Sequence, residues 1–83
     1  MRIIDEFTQS ECRVTLMNWN NRYIIKVEKG LFEQVFKIDQ FVLDGEQHLR
    51  QLLNDDFMAN IDRQFEAMEY ALNRALGGLY PSA

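Results

Sequence analysis

The hydrophobic period of this chain changes once, between residues 38 and 45, and that change constrains the fold more than any other feature. Residues 12–38 read as strand and residues 45–76 read as helix. In the first stretch, Cys12-Arg13-Val14-Thr15-Leu16-Met17-Asn18-Trp19 alternates, with Cys12, Val14 and Leu16 on one side. Asn20-Asn21 offers a short turn, because Asn tolerates the positive φ of a type I′ hairpin. Arg22 to Glu28 is rich in β-branched and aromatic residues, as strands prefer. Lys29-Gly30 makes a second turn and Leu31 to Ile38 a third strand. Two tight turns in succession predict an antiparallel meander with the Tyr23–Glu28 segment at its centre. Residues 1–11 leave three alternatives open. Through Ile3, Ile4 and Phe7 they add a fourth, edge strand, form a short helix, or pack as an arm.

The register follows from the turns. With Asn20-Asn21 as the loop, Arg13 faces Glu28 and Met17 faces Ile24. With Lys29-Gly30 as the loop, Lys26 faces Glu33, Ile24 faces Val35 and Tyr23 faces Phe36. Opposite charges then meet twice, worth a few tenths of a kcal/mol each, up to about 1. Arg22 opposite Lys37 contradicts the pattern and predicts splayed strand ends. Val14, Leu16, Tyr23, Ile25, Val27, Phe32 and Phe36 share one face as a core layer. Gln34 points there too and needs a hydrogen-bond partner or the rim of the sheet.

The helical half begins after a connection over Asp39 to Leu43. Asp44 is placed to cap a short helix, with Gln47 at the reciprocal position of a capping box. Leu49, Leu52 and Leu53 give that helix one apolar face. Asn54-Asp55-Asp56 interrupts the pattern, then caps and charges the start of a longer helix. Along it, Met58, Ile61, Phe65, Met68, Leu72, Ala75 and Leu79 are spaced 3, 4, 3, 4, 3, 4, a seven-residue repeat with one seam. Gly77-Gly78 ends it and Pro81 prevents resumption. A helix of about 20 residues is about 30 Å long, and strands of about eight residues span about 26 Å. The long helix can therefore lie along the sheet and cover its apolar face. The expected architecture is one α+β domain over residues 1–83: a three-stranded antiparallel meander, with the first residues as a candidate fourth strand, then a short and a long helix packed on one face, with 79–83 a loose tail. The same seam would serve a coiled coil where the helix overhangs the sheet.

Composition narrows the function classes. Hydrophobic residues make up 47% of 83 residues, which is globular. The single cysteine, Cys12, makes no intramolecular disulfide, and ligand-spaced Cys/His pairs are absent, so packing or self-association must supply the stability. A net charge of −4 argues against nucleic acid as the main partner. No apolar run serves as a signal peptide or reaches the roughly 20 residues of a membrane span. With the free thiol, this gives a cytoplasmic, soluble protein as the expectation.

Each chemical candidate has a plainer explanation. His48 lies four residues after Asp44, at helical reach for a base and its orienting carboxylate, but no nucleophile is placed beside it and it reads as a rim imidazole. Cys12 alternates with Val14 and Leu16 and behaves as a small buried hydrophobe. Asp44, Glu46, Asp55 and Asp56 do not follow the calcium-loop spacing and sit where helix starts favour anions. Gly30, Gly45, Gly77 and Gly78 each have a turn or cap role, so no phosphate-cradling loop is left. No constellation supports an enzyme, a cofactor or a metal.

The face of the sheet away from the helices is the informative surface. Its expected rows are Arg13-Glu28-Leu31, Thr15-Lys26-Glu33, Met17-Ile24-Val35 and Trp19-Arg22-Lys37. A solvated face is polar throughout, yet the third row is wholly apolar and Trp19 adjoins it. A contiguous apolar patch with a Trp marks an interface, unless residues 1–11 fold back over it. Two functions follow. The first is a non-enzymatic interaction module, a homodimer or the partner of another protein, through Met17, Trp19, Ile24 and Val35 or the overhanging long helix. The second is a single-stranded nucleic-acid binder, in which Trp19 stacks on bases and Arg22 and Lys37 supply cations. A sheet followed by a long helix is similar, at fold level, to the Whirly and transcriptional-coactivator class of single-strand binders. That class has four strands before the helix, and no motif residue carries over from it.

Overall fold

The computed structural model describes residues 1–77. Four strands come first: β1 (Arg2–Gln9), β2 (Cys12–Trp19), β3 (Arg22–Lys29) and β4 (Phe32–Asp39). A 3-10 turn (Gln40–Val42) leads to α1 (Glu46–Gln51) and α2 (Asp55–Ala75). The strands form one antiparallel sheet in the order β1-β2-β3-β4. The α+β meander is as the sequence predicts. Of the alternatives for residues 1–11, the edge strand is the one adopted. The expected tail at 79–83, and with it Leu79, Gly78 and Pro81, lies outside the described residues.

Local chemistry explains each turn. Asn20 and Asn21 take φ values of 52° and 61°, the paired left-handed conformation of a type I′ hairpin. Ser10 and Glu11, at 51° and 63°, do the same between β1 and β2 without the side chains that favour it. This is why the first hairpin is invisible to turn-residue preferences. Between β3 and β4, Gly30 has φ 60°, and Lys29 pairs directly with Phe32. The loop is thus Gly30-Leu31, with glycine in the first central position as a type II′ turn requires. The expected Lys29-Gly30 loop is one residue early, and the β3–β4 register moves by two.

The shift leaves every β4 side chain on its expected face and changes its neighbours. Lys26 faces Val35 instead of Glu33, Ile24 faces Lys37 instead of Val35, and Tyr23 faces Ile38 instead of Phe36. Arg22 now faces Asp39, which removes its clash with Lys37. The shift sets Glu28 opposite Glu33. Lys26 offsets that repulsion: its Nζ lies 3.8 Å from Glu28 and 3.7 Å from Glu33. The β2–β3 register, including Arg13–Glu28 and Met17–Ile24, is as predicted.

On the helix side, Cys12, Val14, Leu16, Tyr23, Ile25 and Val27 join Leu49, Leu53, Met58, Ile61 and Phe65 in one buried cluster. Ile4, Phe7, Phe32 and Met68 pack around it. Gln34, half-buried on the core face, donates Nε2–H to the Ile61 carbonyl at 3.0 Å, which satisfies its amide there. Gln9 donates likewise to the Leu53 carbonyl at 3.0 Å, tying β1 to the junction of the helices. Asn54 caps α2, its side chain accepting the Phe57 N–H at 2.9 Å, with Asp55 and Asp56 in the first turn.

Asp44 does not cap α1. Gly45 holds the N-cap position at φ 118° with no side-chain cap bond, so no capping box with Gln47 forms. Instead the Asp44 N–H donates to Nδ1 of His48 at 3.1 Å. The left-handed step at Gly45 turns the chain so that the imidazole, rather than the carboxylate, meets the free backbone group. The 21-residue α2 also covers less sheet than its length allows. Met58, Ile61 and Phe65 are buried, but Leu72 is 36% exposed, so the seam runs off the slab and its last turns overhang.

Replacing Ser10-Glu11 with Asn-Gly should stabilise the domain by about 1 kcal/mol, since left-handed backbone costs an ordinary residue about 1–2. Urea unfolding reads this as a higher midpoint at unchanged slope. A lower midpoint contradicts the turn assignment.

Candidate functional site

The outer face follows from the pairings of all four strands. Its rows run Thr8–Arg13–Glu28–Glu33, Glu6–Thr15–Lys26–Val35, Ile3–Met17–Ile24–Lys37 and Trp19–Arg22–Asp39. The expected apolar row Met17-Ile24-Val35 is corrected. Val35 moves one row towards the charged end, and Lys37 takes its place beside Ile24. Leu31 leaves the face for the turn, where it is 82% exposed.

Apolar character persists in a different shape. Ile24, 6% exposed, is shaded by its neighbours. Around it stand half-exposed side chains: Ile3 at 57%, Trp19 at 50% and Val35 at 47%. Ile3 comes from β1, which lies beside β2 and adds to the patch instead of folding over it. None of the described elements covers this face, because both helices pack on the other.

Charge divides the face into two ends. At one end Arg13 pairs with Glu6 at 3.0 Å, and Lys26 bridges Glu28 and Glu33. At the other, Trp19 stands directly opposite Arg22, with Lys37 one row away on β4. Neither Arg22 nor Lys37 forms an ion pair with a described residue. The three residues named for a nucleic-acid contact are thus on one end of one face, and the four named for a protein interface share that face.

One exposed apolar pair has no place in the sequence reading. Phe41 is 84% and Val42 69% exposed. The 3-10 turn that carries them is anchored by Gln40, whose N–H donates to the Asn21 carbonyl at 3.0 Å. They therefore project at the same end of the sheet as the Trp19–Arg22 pair. The available signal was that two adjacent hydrophobes in a linker fit neither period.

The other chemical candidates resolve into structure. His48 Nδ1 accepts the Asp44 N–H, and the Asp44 carboxylate lies 3.9 Å away, fully exposed. Glu46 pairs with Arg2 at 2.6 Å. Among the described residues no three His, Cys, Asp or Glu side chains come together to hold a metal. No described helix is long and apolar enough to cross a membrane. No family model, curated protein or solved structure matches the chain.

Cys12 is fully buried, and burial pushes its thiol pKa up, with Asp62 and Glu11 adding to the rise and Lys29 opposing it. The native chain therefore holds the proton that the unfolded chain releases. Stability from this source is complete below the unfolded thiol pKa of about 8.5 and falls as pH rises beyond it. Unfolding free energy should thus decline on the alkaline side, with a shallower slope in Cys12→Ala. Equal slopes in the two proteins would contradict the burial of this thiol.

Proposed function

We propose that this chain is a non-enzymatic interaction module that self-associates as a two-fold dimer. The observation that carries the reading is the uncovered outer face, where Ile3, Met17, Trp19 and Val35 surround Ile24 while the helices occupy the opposite side. The overhanging stretch of α2 offers a second apolar surface through Leu72. A domain this small buries a limited share of its surface alone and gains most from a second copy, and closed two-fold dimers are the commonest homo-oligomer. A cytoplasmic location accords with the free thiol. Light scattering after size exclusion, at tens of micromolar, should return the mass of two chains. A one-chain mass removes the reading.

A second reading, a binder of single-stranded nucleic acid, is favoured by one observation. Trp19 stands against Arg22, and Lys37 is near, with neither cation in an ion pair among the described residues. A stacking surface with adjacent positive charge is what such a site needs. It requires that a mixed-sequence single strand at low salt quench Trp19 fluorescence, and that Arg22→Glu weaken the quenching. An unchanged spectrum eliminates it.

A further inference from the structure

Among the described residues nothing pairs with the outer edge of β4, where the sheet order ends. The bond from the Gln40 N–H to the Asn21 carbonyl fixes which backbone groups face outward. Stepping back along the antiparallel ladder by twos, Ile38, Phe36, Gln34 and Phe32 exchange hydrogen bonds with β3. The N–H and C=O of Glu33, Val35 and Lys37 therefore point away from the sheet. The two edges also differ. β1 is interrupted by a bulge between Ile3 and Asp5, a device that blunts edges, whereas β4 keeps unbroken register over eight residues.

We propose that two copies join by pairing β4 with β4, antiparallel about a two-fold axis through Val35, to make one continuous eight-stranded sheet. This rests on the self-association proposed above but places the contact at the β4 edge, leaving the apolar outer face free for a further partner. A two-fold perpendicular to the sheet keeps the outer faces on one side, so outer residues meet outer residues. Centred on Val35, Glu33 of each copy stands opposite Lys37 of the other. Opposite charges directly across strands are favourable, and Lys37 has no ion-pair partner among the described residues of its own chain. The neighbouring registers lack this match. Centring on Phe36 sets Glu33 against Asp39, and centring on Gln34 sets Glu33 against Val35 and Lys37 against Leu31.

The helix side of the edge fits the same register. Two cavities of about 530 and 590 Å³ adjoin between β4 and α2, sharing Val35, Phe36, Phe57 and Asn60 in their walls. Gln34 lines one and Ile38 the other. In the Val35-centred register the incoming Phe36 lies opposite Gln34, and the incoming Phe32 lies opposite Ile38. An added strand, about 4.8 Å away, thus delivers one aromatic side chain to each cavity. Phe36, 36% exposed and edge-on to Phe57 at 5.5 Å, gains cover in the process.

Charge reversal tests the contact. Glu33 and Lys37 are exposed, so Glu33→Lys and Lys37→Glu should each fold, with unchanged circular dichroism. Each should raise the dimer dissociation constant roughly tenfold or more in sedimentation equilibrium, because both symmetric pairs become like-charged. An equimolar mixture of the two variants should recover association, since every cross-strand pair is then opposite in sign. Val35→Pro, which removes an outward N–H and leaves the β3 ladder intact, should also be monomeric. A wild-type dimer indifferent to both reversals, or reversed variants that fail to recover on mixing, would overturn the β4 contact and leave self-association standing. A monomeric wild type would overturn both.

Discussion

The contact on which the rest of this structure depends is the seating of the first half of α2 on the helix side of the meander. Met58, Ile61 and Phe65 close over Val14, Leu16, Ile25 and Val27, with Leu49 and Leu53 sealing the end near β1. A fully buried aliphatic or aromatic side chain of this kind contributes about 1.5–3 kcal/mol, and a chain with no disulfide has little else to draw on. Two polar ties set where the helix sits. Gln34 reaches the Ile61 carbonyl and Gln9 reaches the Leu53 carbonyl. Once these are made, the helix is committed to one face and its last turns are committed to leaving the slab. The exposed surfaces follow from that commitment.

Much of the fold was legible because it rests on period and turn chemistry. Alternation from Cys12 to Trp19 set the buried face of β2, and Asn20-Asn21 fixed the β2–β3 register to the residue. Gln34 was recognisable as a core polar group in need of a partner, and Asn54 as the start of α2. What escaped was decided by backbone conformation that side chains announce weakly. Ser10-Glu11 occupies a left-handed turn without Asn or Gly, so β1 had no visible hairpin. Gly30 marks the second turn under either loop assignment. The choice between Lys29-Gly30 and Gly30-Leu31 depends on which central position carries the positive φ. Asp44 lost its cap role to the same kind of cause, the left-handed step at Gly45.

The β3–β4 shift shows why a face is easier to read than a row. Strand side chains alternate with period two, so a slip of two residues preserves every inward and outward assignment. Met17, Trp19, Ile24 and Val35 are therefore on the expected face, while their contacts across β4 are new. The expected register counted two favourable charge pairs and one clash. The observed one relieves the clash by giving Asp39 to Arg22, and it tolerates Glu28 against Glu33 by placing Lys26 between them. Pairwise charge counting did not separate the two, because a single lysine serves two carboxylates.

That same slip makes the edge of β4 self-complementary. With the turn at Gly30-Leu31, the residues whose backbone groups face outward are also those that carry Glu33, Val35 and Lys37 on the outer face. A strand reading acid, aliphatic, base at alternate positions matches itself when reversed, whereas an edge bearing one sign of charge repels its copy. Charged edges commonly protect a sheet from open-ended pairing. Here the two signs flank a central valine, so the pattern admits one antiparallel partner in one register and disfavours slipped ones. The bulge in β1 blunts the opposite edge, which limits growth to a closed pair rather than a fibre. The proposed dimer would leave both outer faces on the same side, each still presenting Trp19, so self-association and recognition of a further partner need not compete for one surface.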